Sequence, residues 1–264
     1  MVRAGVLDHP MWQTLRMHLE KSCSAIAVER IDGASSYVLT CEHASAALPA
    51  GWSWPDKDLH LETKHWGVDI GIARFTRLLA ERLDATAVLA KTTRLLVDCN
   101  RELSSPTLYR ERADNAHVWL NTGMSKRERS IREGRVYEPF HAAISSACSQ
   151  RQPALVLSMH SYTPNYEGQI RDVQVGVLHD GEPELASLWA SILQYELPGY
   201  DVRVNEPWSG LGGYMYSAVM HAEECGARAM ELEIRNDLLI GSAVPELLDA
   251  IETMVRQSKE CLGT

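Results

Sequence analysis

Two apolar runs in this chain end in a histidine: Tyr37-Val38-Leu39-Thr40-Cys41-Glu42-His43 and Ala154-Leu155-Val156-Leu157-Ser158-Met159-His160. Runs of this length and content read as buried strands, and open α/β sheets present their ligand-binding groups at strand C-terminal ends. A third run, Ala229-Met230-Glu231-Leu232-Glu233-Ile234-Arg235, carries carboxylates instead. Side chains alternate along a strand, so Glu231 and Glu233 face the same side. Two imidazoles and acidic groups gathered at one sheet edge match the donor set of a zinc hydrolase that keeps one coordination position open for water.

The segments around these runs must position them. Strand-like and helix-like stretches alternate, which favours a mainly parallel sheet with helices on both faces. Apolar residues at helical spacing over residues 68–83 predict a helix with Asp69 in its first turn and its carboxylate able to face the sheet edge. A strand over 85–90 leads into 93–101, where Arg94, Asn100 and Arg101 are donors placed for an anion. Residues 125–135 are densely charged and read as a solvated helix or loop, 137–149 as a helix, and 172–179 as a further alternating strand. Pro207, Trp208, Gly210, Gly212 and Gly213 mark 205–213 as a loop of the kind that closes over substrate. Residues 1–30 stand apart as an extension with an amphipathic helix over 11–20, leaving 31–264 as a single domain. No internal repeat interrupts this pattern.

Composition narrows the function classes. A chain of 264 residues with 45% hydrophobic content can bury a large α/β core. Its formal net charge of -9 argues against a nucleic-acid partner, which requires a basic face. No apolar run approaches the roughly 20 residues a membrane-spanning helix needs. Six scattered cysteines without a paired spacing, and no signal-peptide pattern, lead to the expectation of a soluble cytoplasmic protein with reduced thiols.

Six features occur in order along the chain: Cys41-Glu42-His43-Ala44-Ser45, the Val68-Asp69-Ile70-Gly71 helix start, Arg94-Leu95 followed by Asp98-Cys99-Asn100-Arg101, His160-Ser161-Tyr162-Thr163-Pro164, Gly168 with Arg171, and Glu233-Ile234-Arg235-Asn236-Asp237-Leu238. Together, over roughly residues 31–245, they resemble the N-formylglutamate amidohydrolase family, in particular its branch of predicted members carrying the Cys-Glu-His-Ala-Ser motif. Ala46 departs from the asparagine expected there. The resemblance implies a three-layer α/β/α sandwich of the phosphorylase/hydrolase-like type, similar to zinc carboxypeptidases and zinc-dependent muramoyl amidases, with a mixed, mainly parallel sheet. It implies zinc, or another divalent metal, held by His43, Asp69 and His160, with Glu233 as the general base. An amide carbonyl is a poor electrophile, so the metal must polarise it and lower the pKa of water from 15.7 to about 7. The implied reaction is hydrolysis of N-formyl-L-glutamate, or another N-acyl amino acid, to the acid and the free amine.

The resemblance also implies that Asn100 and Arg101 hold a terminal carboxylate, as the matching pair does in zinc carboxypeptidases. Arg94, Arg171 and Arg235 would then serve a second carboxylate or the oxyanion. Glu42 competes with Asp69 for the acidic ligand position. If Glu42 and His43 both stay in the strand they point to opposite faces, which favours Asp69 and leaves Glu42 as a partner behind a ligand. Simpler readings stand beside these: a histidine after a strand is more often a hydrogen-bonded structural residue, Asp98 could pair with Arg94 or Arg101, and buried thiols such as Cys41 and Cys99 are common in cores. Among the other histidines, His65 and His221 stand out. Two alternatives remain: the same chemistry on a larger peptide or cell-wall amide, and a non-catalytic relative that binds carboxylates.

Overall fold

The computed structural model describes residues 27–263, so the helix expected over 11–20 lies outside the described residues. The valine, leucine and isoleucine runs form one seven-stranded sheet. Its strands are β1 (Val28–Ile31), β2 (Tyr37–Cys41), β3 (Thr86–Ala90), β4 (Leu155–Tyr162), β5 (Val175–Leu178), β6 (Val202–Val204) and β7 (Arg228–Arg235), in the order β1-β3-β2-β4-β7-β5-β6. β3, β2, β4 and β7 run parallel, as do β5 and β6, while β1 meets β3 and β5 meets β7 antiparallel. This is the mixed, mainly parallel sheet expected. All of β1 but Ile31 falls in the stretch read as an extension, because Glu29 and Arg30 give this half-buried edge strand a charged centre and mask its alternation.

Helices cover both faces, completing three layers. On one face Tyr37, Leu39, Leu155, Leu157, Met230 and Leu232 pack against α1 (Ile72–Leu83), α4 (Pro183–Glu196) and α6 (Val244–Gln257). On the other, Val38, Val88, Val156 and Ala229 pack against α3 (Glu138–Arg151) and α5 (Tyr216–Cys225). Strand alternation carries Thr40, Ser158, Glu231 and Glu233 onto this second face, where polar groups replace the apolar core toward the strands' C-terminal ends. Each fully buried leucine or isoleucine of the two layers contributes roughly 1.5–3 kcal/mol, enough to hold such a polar cluster in place.

The helix expected over 68–83 is shorter than the spacing suggests. Gly71 takes φ 85°, which only glycine adopts readily, so α1 begins at Ile72 and Asp69 sits in the turn before it. A Cβ on residue 71 would also lie 2.6 Å from the Leu239 Cβ. The charged stretch at 125–135 contains α2 (Lys126–Arg132), and it is not wholly solvated. Arg132 is buried, donating to the carbonyls of Leu96 and Leu120 and to the Asn121 side chain. Beyond β6 the chain doubles back over β5, and the Glu206 carbonyl crosses so closely that a side chain on Gly176 would collide with it. No helix of the described residues is long and apolar enough to cross a membrane.

Between α3 and α5, His141 Nδ1 meets His221 Nε2 at 2.9 Å, and His221 Nδ1 lies 3.2 Å from Glu224. Burial, aided by its histidine neighbour, pushes His141 down to about 4 from an ordinary 6.5. The unfolded chain therefore binds a proton between pH 6.5 and 4 that the folded chain refuses. The stabilisation is complete above pH 6.5, falls as pH drops through this window and stays level below it. At pH 5 the loss is about 2 kcal/mol. Unfolding midpoints at pH 7.5 and 5 are expected to differ less in His141→Gln than in the parent; an equal difference would remove this residue from the acid response.

Candidate metal centre

β2 and β4 lie side by side and parallel, so their C-terminal ends emerge together. β2 ends at Cys41, which frees His43 from strand alternation, while Glu42 keeps the polar face. The His43 carbonyl accepts the Asp69 N–H at 3.0 Å, and the Asp69 Oδ2 accepts the Ser161 N–H at 3.1 Å. These backbone ties dock the turn before α1 between the two strand ends.

One ligand atom each from His43, Asp69 and His160 lies within 4.8 Å of the others, and all three residues are buried. Asp69 Oδ2 stands 2.9 Å from His160 Nδ1 and 3.5 Å from His43 Nδ1. The far nitrogens have other partners: His43 Nε2 meets Asp98 Oδ1 at 2.8 Å, and His160 Nε2 meets Glu42 Oε2 at 3.3 Å. Carboxylates only accept, so His43 donates from Nε2 to Asp98 and turns its Nδ1 inward, whereas His160 meets carboxylates at both nitrogens, Asp69 at Nδ1 and Glu42 at Nε2, with the Asn100 amide nitrogen also 3.3 Å from Nε2. His43 Nδ1 is buried without a hydrogen-bond partner. A cation that displaced the proton of His160 Nδ1 would lie among two imidazole nitrogens and a carboxylate, so the donor set fits a divalent metal, with Glu42 behind the ring of His160.

Charge supports the fit. Glu42, Asp69, Asp98, Glu231 and Glu233 are all buried within this cluster, faced by His160 and by Arg94, which lies 2.8 Å from Asp98 and 3.7 Å from Asp69. Burial opposes ionisation of Asp98, but Arg94 and His43 hold it well below its ordinary value. Glu42 is similarly held at about 2, chiefly by His160 acting against burial. His160 moves the other way: burial opposes its charge, but Glu231, Asp69 and Glu42 outweigh that and raise it well above 6.5. Clusters of perturbed groups are characteristic of functional sites, and ion-pair networks produce them as well.

Glu231 and Glu233 share the polar face as expected, but their surroundings differ. Glu231 Oε2 lies 3.6 Å from His160 Nε2, on the side away from Asp69, and burial raises the carboxyl to about 7. Glu233 stands beside His160 in strand register and has an Oε2 without a partner. Burial lifts Glu233 well above the carboxylate range, with Glu231 and Asp69 adding to the rise. Burial also raises the Cys41 and Cys99 thiols, which disfavours either as a nucleophile.

These groups open into a cavity of about 300 Å³. Arg94, Asn100, Arg101 and Arg171 line it. Arg94 is mostly engaged, with Nη2 2.8 Å from Asp98. Asn100 donates to the Tyr214 carbonyl and accepts from the Ser217 N–H. Arg235 is a correction: at the end of β7 its guanidinium turns to Asp237 at 2.9 Å and toward the Arg171 and Asp172 carbonyls, bracing the loop instead of lining the cavity. Missed in the sequence were Arg110, Trp66, Tyr166 and Tyr214, and the pairing of Asp98 with His43. Trp208 lies in the loop marked by glycines, and His65 was singled out. No periodicity surrounds Arg110 that could have drawn attention to it.

No curated protein matches this chain. Among solved structures, a gene product from Agrobacterium tumefaciens is 28% identical with a TM-score of 0.81, covering 92% of this chain and 98% of its own. An N-acetylmuramoyl-L-alanine amidase from Clostridium difficile is 9% identical at a TM-score of 0.40, covering 86% and 98%. A metallo-carboxypeptidase from Burkholderia cenocepacia is 10% identical at 0.40, covering 96% and 69%. The sequence pattern of N-formylglutamate amidohydrolase matches residues 35–240. This chain belongs to the N-formylglutamate amidohydrolase family.

Proposed function

We propose that this chain is a zinc-dependent hydrolase that cleaves N-formyl-L-glutamate to formate and L-glutamate. The observation that carries the reading is the convergence of His43 Nδ1, His160 Nδ1 and Asp69 Oδ2, with Glu233 beside them. Zinc fits an imidazole, imidazole and carboxylate set, although manganese, iron or cobalt could use the same ligands. When bound, the ion supplies a Lewis acid that polarises the amide carbonyl and eases deprotonation of water.

The remaining steps belong to the chain. Asp98 and Glu42 fix the ring orientations of His43 and His160 by holding their Nε2 hydrogens. Glu233 takes the proton of the attacking water on a carboxylate oxygen and passes it to the departing nitrogen, because a buried carboxyl with raised proton affinity can act as base and then as acid. Arg101 holds the substrate's α-carboxylate, and Asn100 keeps the Tyr214 backbone beside it. A cavity of about 300 Å³ is at the small end for ligand sites and suits an acylated amino acid better than a peptide.

Metal analysis of the purified protein, paired with formate release from N-formyl-L-glutamate, tests this reading. Near-stoichiometric metal and formate production are expected. Metal without formate would move the substrate to another acyl amide, and no metal binding after incubation with zinc would overturn the mechanism.

A further inference from the structure

Two guanidiniums of the cavity wall lack the partners that arginines of an acidic protein usually find. Arg110 lies over the Trp66 ring at 5.3 Å, and Arg171 over the Tyr166 and Trp208 rings at 4.4 and 4.8 Å. Trp66 and Tyr166 touch at 5.2 Å between ring centroids, so the two cations share one aromatic wall. Among the described residues neither side chain forms a hydrogen bond or ion pair with a carboxylate. Arg94 differs, because Asp98 already neutralises it. Burial makes charge on Arg110 and Arg171 costly, and Arg94 adds repulsion at Arg110. Aromatic faces offset part of that cost and hold the planar groups in fixed orientations, leaving their N–H edges for a ligand.

We infer that Arg110, together with Arg171, forms a second anion subsite that receives the side-chain carboxylate of an N-acyl acidic amino acid, making Arg110 a specificity-determining residue. This rests on the reading under Proposed function, in which Arg101 takes the α-carboxylate. The wall discriminates by charge. A neutral isostere of the substrate would leave two partly buried cations without a counter-ion, and charged hydrogen bonds of this kind change affinity by about 10- to 100-fold.

The test compares N-formyl-L-glutamate with its isostere N-formyl-L-glutamine, and glutarate with butyrate as non-reacting ligands measured by calorimetry. The parent, Arg110→Gln and Arg110→Lys would be used as zinc-loaded full chains, each checked for its unfolding midpoint. In Arg110→Gln the glutamate-to-glutamine ratio of kcat/KM is expected to fall at least 10-fold, mainly through KM, with glutarate binding weakened more than butyrate binding; Arg110→Lys should fall between. Equal losses on both substrates, or unchanged glutarate binding, would overturn the subsite. If the parent releases no formate but Arg110→Gln still loses glutarate selectively, the proposed reaction fails while the subsite stands.

Discussion

Glu233→Gln is expected to lower kcat on N-formyl-L-glutamate by about 10² to 10⁴-fold, the usual contribution of a positioned acid–base group, while metal content and KM stay within a few-fold of the parent. The amide matches the carboxylate in shape but cannot take a proton from water. Glu233 Oε2 has no hydrogen-bond partner, so the replacement breaks no bond at that atom. A neutral amide also removes a buried ionisable group from beside Glu231 and Asp69, so the unfolding midpoint should hold or rise. Kinetics and metal analysis on one preparation would check this. If the variant kept more than about a tenth of the parent kcat, the base would have to be another group, with Glu231 on the same strand face the first to examine.

His43→Ala should abolish both metal binding and turnover, because it removes the inward Nδ1 and leaves only two of the three converging ligand atoms. Asp98→Asn should behave differently. An asparagine carbonyl can still accept from His43 Nε2–H but no longer strengthens the ring as a donor or balances Arg94, so metal affinity should fall about 10- to 100-fold and activity should return in excess zinc. Ligand binding only to the folded state raises its stability, so added zinc should lift the unfolding midpoint of the parent, lift it less in Asp98→Asn and leave His43→Ala unmoved. Rescue of His43→Ala by zinc would show that His43 is not a ligand.

The central strands were legible because β2, β4 and β7 are buried on both faces and read as near-continuous apolar runs, and α1 because Ile72, Phe75, Leu79 and Leu83 recur at helical spacing. The alternation of Glu231 and Glu233 with Met230, Leu232 and Ile234 likewise puts both carboxylates on one face. β1 was lost because an edge strand needs only one apolar side. Asp69 was placed inside a helix because apolar spacing does not register a glycine in the left-handed region. Arg110, Trp66 and Tyr166 were invisible for another reason: they come from irregular segments that meet only when the sheet is assembled, and local pattern carries no record of distant partners. Arg235 misled because motif position marks where a residue starts but not which neighbour its long side chain chooses.

Gly176 stands directly across from Glu233 in the ladder between β5 and β7, and the chain passing over it leads to Trp208. Room for that strap exists because residue 176 has no methyl group, and Glu233, its partner across the ladder, is buried. A side chain at 176 is expected to displace the strap, and if that admits solvent to Glu233 its proton affinity should fall back toward that of an ordinary glutamate. In the proposed reaction, the basicity of Glu233 would then depend in part on a missing carbon atom on a neighbouring strand, in a residue outside those assigned to metal and substrate.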